Sequence, residues 1–203
     1  MSIANAWVKI PLTCTNVVIM TTIGDTNKTK FHSLLHDQIR NEFTASHQYI
    51  AIAIFFDNAD LPQLAKLFYA QAVEERNHAM MIVQYFLDRD MSVDLTGVDA
   101  VQSMFEDARE PIALALAQEK KVTEQIVELA RTARDEGDYL GEQFMQWFLQ
   151  EQVEEVATMA TLLTVADRAG ENLFHIEDFV AREINSKPQD PRGNAPVAAG
   201  GAL

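Results

Sequence analysis

The chain has 203 residues, 48% of them hydrophobic, which suits one or at most two globular domains with a real core and excludes a disordered chain or a small disulfide scaffold. Lys and Arg number 16 against 30 Asp and Glu, a formal net charge of −14, and no basic cluster offsets it, so no nucleic-acid partner is expected. The charge is uneven: residues 31–185 hold 28 acids and 11 bases, a net −17, while both ends are near neutral or slightly basic. A single cysteine, Cys14, cannot form an intrachain disulfide, which fits a reducing compartment; the expected location is cytoplasmic.

No apolar run reaches the ~18 residues that a membrane-spanning helix needs, so no membrane partner is expected. Residues 1–28 read as an N-terminal extension of unknown role; the first twenty carry one Lys, and Pro11 interrupts them, unlike a secretory signal. Apolar residues then recur at three- and four-residue spacing over long stretches, with Gly and Pro confined to the joints, which predicts an all-helical domain over 29–184. The first helix runs roughly from Thr29 to Asp57, with Phe31, Leu35, Ile39, Phe43, Ile50 and Ile54 on its buried side. Asn58-Ala59-Asp60 stops it, and Asp60 is placed to cap a second helix that has Pro62 in its first turn and ends near Asp88. From Arg89 to Ala108 the pattern lapses for long enough to travel the length of a helix. A third helix (Arg109 to Asp135), a tight turn at Glu136-Gly137-Asp138 and a fourth helix to about Ala169-Gly170 follow. Two antiparallel hairpins joined by a long crossover make a ferritin-like four-helix bundle, completed by a short amphipathic fifth helix, Asn172 to Ile184. Residues 185–203, with three prolines and three glycines, read as a flexible tail; a docking peptide for a larger assembly is the sharper alternative.

The informative residues are polar ones on apolar stripes. Glu42 is in register with Leu35, Ile39, Ser46 and Tyr49 on the first helix, so it points into the bundle. On the second, Glu75 and His78 form a Glu-x-x-His on one face, flanked by Phe68, Ala72, Ile82 and Tyr85. Glu119 lies among Ala115, Leu116, Val122, Thr123 and Ile126, and Gln152 and Glu155 continue the line from Phe148 to Met159 and Leu162. Inward carboxylates from every helix, with no Lys or Arg on the same stripes, demand protons or cations. A divalent metal pair is the simplest compensation, and oxygen-rich ligation with one imidazole favours iron or manganese, while zinc is also accommodated. His32, His36, His47 and His175 lack a carboxylate set at ligand spacing and read as surface or interface residues; Met80 and Met81 read as packing.

The segments NEFTASHQY, AVEERNHAMM, LAQEKKVTEQI and FMQWFLQEQVEEV resemble, in order and spacing, the four helices of non-haem bacterial ferritins, most of all the mycobacterial type. The resemblance spans 29 to about 184 and implies a 24-subunit homo-oligomeric shell that oxidises Fe²⁺ with dioxygen and stores the ferric mineral. By motif it implies a di-iron ferroxidase centre in which Glu42, Glu75 and His78 hold one iron and Glu75 bridges to a second held by Glu119 and Glu155, with Gln152 nearby. Glu74, Glu151 and Glu154 match a third, transit site, and Tyr49 and Trp147 match aromatic residues beside the centre; the resemblance implies a catalytic, redox role for Tyr49, and a core aromatic that hydrogen-bonds a ligand carboxylate is the alternative. Haem-containing relatives carry a second Glu-x-x-His and a Met after the bridging Glu; Gln152-Val153-Glu154-Glu155 and Arg76 stand here instead, so no haem is expected. A di-iron enzyme acting on an organic substrate, and a structural bundle that uses metal for stability alone, are the alternatives.

Overall fold

Four long helices, α1 (Lys30–Asn58), α2 (Pro62–Asp88), α3 (Arg109–Asp135) and α4 (Tyr139–Ala169), form two hairpins, followed by a short α5 (Leu173–Phe179) that continues as a π-helical turn, Val180–Ile184. This computed structural model describes residues 29–186 and 195–203; the expected N-terminal extension (1–28) and part of the expected tail (187–194) lie outside the described residues. No described helix is long and apolar enough to cross a membrane.

The helix ends are tied to one another by carboxylates distant in sequence. Thr29 caps α1 through the amide of His32, and Glu136, at the end of α3, accepts the amides of Lys30 and Phe31 at 3.0 Å each. Asp138 caps α4 through the amide of Gly141 at 2.9 Å. Asp60 does not cap α2 as its position suggests: it takes a left-handed φ of 56°, leaving Leu61 at the cap position without a side-chain bond. Glu177 of α5 serves instead, accepting the amides of Gln63 and Leu64 at 2.9 and 2.8 Å, so the fifth helix closes the start of the second.

The crossover lies along one ridge of α1, held at residues spaced by a helical turn or two. Asp94 N–H donates to His36 Nε2 (3.2 Å), Asp99 N–H to the Thr44 hydroxyl (3.1 Å), and the Gln48 amide pairs with both backbone groups of Gln102 (2.7 and 2.8 Å). Crossover and α1 therefore ascend together, and α3 starts at the far end and descends to Glu136, antiparallel to α1 and parallel to α2.

Several side chains differ from their expected places. Ile50 and Ile54 are exposed at 38% and 47%, while Ile52 and Ala53 are buried, because the run IAIAIFF is apolar on every face and spacing alone cannot select one. His32 is buried, not superficial, with Nδ1 3.1 Å from the Thr29 hydroxyl and Nε2 3.3 Å from Asp138. The described end of the tail is largely exposed but meets α2 at two points: Ala198 and Ala199 are buried, Ala199 N–H donates to the Met80 carbonyl at 2.9 Å, and Leu203 N–H to Asn77 Oδ1 at 3.2 Å. The small side chains of Ala198 and Ala199 let the backbone approach α2 there, which composition alone does not distinguish from disorder.

The apolar core is divided. One cluster gathers Phe31, Leu35, Ile39, Ile82, Phe86, Ile126 and Phe148; the other gathers Tyr49, Ile52, Phe56, Leu64, Phe68, Ile112, Met159 and Leu162. Each long helix passes from one cluster to the other, and the residues at the passage are polar. At the first cluster's end α4 meets α1 through Gly141, where an added Cβ would lie 2.4 Å from the fully buried Phe31 ring. Gly141→Ala is expected to lower stability by about 1–2 kcal/mol in chemical denaturation, the overpacking cost outweighing the helix propensity of Ala; a more stable variant would show that the ring yields.

Candidate metal centre

The passage between the clusters is occupied by Glu42 and Ser46 on α1, Glu75 and His78 on α2, Glu119 on α3, and Gln152 and Glu155 on α4, all buried. Helical spacing brings these groups to one height, and a cross-helix bond sets it: the Ser46 hydroxyl donates to the Ala72 carbonyl at 2.6 Å, keying α1 against α2 one turn from Glu42 and from Glu75. Thr123 lies one turn beyond Glu119, its hydroxyl 2.8 Å from the Glu119 carbonyl and 2.9 Å from Gln152 Oε1, and so keys α3 against α4.

Ligand atoms of Glu42, Glu75 and His78 lie within 4.8 Å of one another, as do those of Glu75, Glu119 and Glu155. The two groups share Glu75, which stands between them as a bridging carboxylate would. A third group, Glu74, His78, Glu151 and Glu155, meets the same criterion beside them. Glu154 is exposed and is not part of any of these groups; it faces, with Glu74 and Glu155, a cavity of about 490 Å³ between α2, α4 and the π-helical turn. Tyr49 is fully buried and donates a short hydrogen bond to Glu119 Oε1, while Trp147 packs edge-on against His78 at 5.5 Å between ring centroids.

Each of three carboxylates has one oxygen held by a protein donor. Gln38 Nε2 donates to Glu42 Oε1 at 2.9 Å, Tyr49 to Glu119 Oε1, and Gln152 Nε2 to Glu155 Oε2; Glu75 Oε2 stands 3.5 Å from His78 Nδ1. The second oxygens, Glu42 Oε2, Glu75 Oε1, Glu119 Oε2 and Glu155 Oε1, are buried, and no donor among the described residues reaches them. One such oxygen comes from each helix. Hard oxygen donors with one imidazole, converging without a Lys or Arg among the buried polar residues, fit divalent iron or manganese.

Burial pushes the Glu75 and Glu155 carboxyls well above the usual carboxylate range, reinforced for Glu75 by the charge of Glu155 and for Glu155 by that of Glu119. Burial likewise raises Glu119 to about 7, against the lowering effect of its bond from Tyr49. The Tyr49 phenol is itself raised, by burial first and the Glu119 charge second, so it stays protonated as a donor.

All the sequence-predicted ligands of the two central groups meet here. The supporting residues Gln38, Ser46 and Thr123 were not legible as such, although Gln38 one turn before Glu42 is the spacing of a carboxylate holder. Gln71 is a similar case, donating to Glu74 at 2.6 Å from three residues earlier.

In the metal-free chain these shifts act against folding as pH rises. From the ordinary value near 4.5 up to about 7, Glu119 holds a proton in the folded state that it loses when unfolded, so stability falls with rising pH across that interval. Melting curves of the metal-free protein are expected to show this decline, with a shallower slope in Glu119→Gln and its reversal by a divalent cation; equal slopes in both proteins would remove Glu119 as a source.

The comparisons with known proteins agree with this geometry. A family model described as a ferritin-like domain matches residues 32–169. The chain is 70% identical over 175 residues to Ferritin BfrB of Mycolicibacterium smegmatis, covering 86% of this chain and 96% of that protein, and 65% identical over 176 residues to Ferritin BfrB of Mycobacterium tuberculosis, covering 87% and 96%. Among solved structures, an open-pore ferritin from Archaeoglobus fulgidus superimposes with a TM-score of 0.72 at 27% identity, over 75% of this chain and 95% of that one. Identity of this degree over 86% of the chain, with the ferritin-like domain model matching residues 32–169, identifies the chain as a member of the ferritin family.

Proposed function

We propose that the chain is an iron-storage ferritin that oxidises Fe²⁺ to Fe³⁺ with dioxygen at a di-iron centre within each subunit and stores the ferric mineral inside a shell of 24 copies in the cytoplasm. The observation that carries this reading is the set of four donor-free carboxylate oxygens, one per helix, arranged as two groups sharing Glu75. Family membership and the 70% identity to a protein named as a ferritin support it.

Fe²⁺ is the substrate. The net charge of −14 concentrates cations near the chain, and Glu42, Glu75 and His78 bind one ferrous ion while Glu75, Glu119 and Glu155 bind the second, with Gln152 beside it. Each Fe²⁺ gives one electron to a single dioxygen, which two electrons and two protons take to the level of hydrogen peroxide, so no superoxide is released. Tyr49 keeps Glu119 in place throughout. The two clusters of apolar side chains that flank the layer keep the held oxygens in position before metal arrives. Glu74, Glu151 and Glu154 form a transit site for iron moving toward the cavity between α2 and α4, where Glu154 is the exposed member.

Apolar surface exposed on the single subunit supports assembly. Ile50 and Ile54 on α1, Val73 on α2 and Phe174 on α5 are exposed, Phe174 at 84%, apolar area that a shell of identical copies covers. The π-helical turn and α5 bring that apolar end against α2.

Stopped-flow absorbance with oxygen uptake, after mixing metal-free protein with two Fe²⁺ per subunit, tests the reading together with a sizing run. A fast saturable phase in a very large particle is expected, and Glu75→Ala is expected to abolish it while the helical content survives. Fast oxidation undiminished in Glu75→Ala would reject the centre, and fast oxidation in a small oligomer would reject the storage shell.

A further inference from the structure

The group that holds Glu42 is not itself a member of any ligand set. Gln38 is 1% exposed, and its Nε2 donates to Glu42 Oε1 at 2.9 Å with Gln125 Oε1 of α3 at 3.5 Å from the same nitrogen. Its own Oε1 accepts from Asn41 Nδ2 at 3.1 Å. With the carbonyl side engaged by Asn41, the donor side faces the carboxylate, so the amide has one orientation that satisfies its partners. Gln38 also lines a cavity of about 690 Å³ between α1, α3 and the crossover, together with Asn41 and Gln125. It thus stands between an open surface pocket and Glu42.

An amide in this place differs from a cation. Arg or Lys would hold the carboxylate more strongly, but would neutralise the negative charge that a ferrous ion needs to find. Gln38 constrains one oxygen without adding positive charge and leaves Oε2, which accepts no hydrogen bond from a described residue, free to act as a ligand. Tyr49 and Gln152 do the same for Glu119 and Glu155, from within the layer.

We propose that Gln38 is a positioning residue for metal binding: its amide fixes Glu42 Oε1 and presents Oε2 as the ligand that completes the site with Glu75 and His78. Resting on the di-iron reading above, it assigns to a residue outside the ligand set the pre-organisation of one of the two sites. Loss of such a supporting hydrogen bond weakens metal binding by about 10- to 100-fold.

Cobalt(II), which does not turn over with dioxygen in this way, serves as the probe, followed by calorimetry and by its visible absorption in the full chain. Wild type is expected to bind two Co²⁺ per chain, and Glu42→Ala to lose one of them. Gln38→Met, close in size but without a donor, is expected to weaken that same site by about 10- to 100-fold and alter its band, leaving the other site unchanged, while the metal-free melting temperature falls because the buried Glu42 Oε1 loses its donor. Gln125→Met, which changes the neighbour of Gln38 without touching Glu42, is expected to bind as wild type. Wild-type affinity at both sites in Gln38→Met overturns the proposal, as does equal weakening in Gln125→Met or equal weakening of both Co²⁺ sites in Gln38→Met, either of which assigns the effect to packing. Failure of wild type to bind Co²⁺ through Glu42 removes the di-iron reading itself, and the inference with it.

Discussion

Four carboxylates buried in the middle of a helical bundle are the constraint around which the rest of this structure is arranged. Ionised carboxylates without partners cost several kcal/mol each in such a place, and Glu42, Glu75, Glu119 and Glu155 converge with no buried Lys or Arg among the described residues to offset them. Their cost is contained in three ways. Apolar clusters above and below carry the stability of the bundle, donors hold one oxygen on three of the four, and the raised proton affinity of Glu75, Glu119 and Glu155 lets the layer lower its charge. The same features prepare the layer for a pair of cations, since proton and metal compete for the same lone pairs.

Such a layer works only if four helices meet at one height, and local helix propensity cannot impose that. The structure does so with long-range polar links. Glu136 ties the end of α3 to the start of α1, Glu177 ties α5 to the start of α2, and Arg89 reaches Asp138 from the end of α2 at 3.3 Å. Along the shaft, Ser46 and Thr123 key the pairs of helices within a turn of the ligands, and the row His36, Thr44 and Gln48 pins the crossover to α1. Each helix is therefore constrained at its ends and near its middle, which leaves little freedom for a one-residue slip that would turn a carboxylate out of the layer.

Chemistry and access follow from the division of the core. The polar layer is narrow, and among the described residues a cavity between α2 and α4 reaches Glu74, Glu154 and Glu155, while another between α1, α3 and the crossover ends at Gln38. The carboxylates of the first are ligand-type residues, whereas the second is closed from Glu42 by a neutral amide. The centre is thus bordered by carboxylates on one side and braced by an amide on the other.

Much of this was legible in the sequence, and the boundary between what was and was not has a physical basis. Long stretches at helical spacing determined four helices, and the observed bounds of α2 and α3 coincide with those read from Pro62, Asp88, Arg109 and Asp135. The placement of Glu42, Glu75, His78, Glu119 and Glu155 on apolar stripes determined that they face inward, because a residue's angle around a helix follows from its number. Tertiary structure alone decided which distant group satisfies a helix end, so Asp60 yields to Glu177 at α2, a partner more than a hundred residues away. It also decided the buried face of IAIAIFF, the burial of His32, the packing of Ala198 and Ala199 on α2, and the hold of Gln38 on Glu42. Periodicity reports direction around one helix; rotation and height of one helix against another, and the partners of polar atoms, are set by packing between segments that no local spacing records.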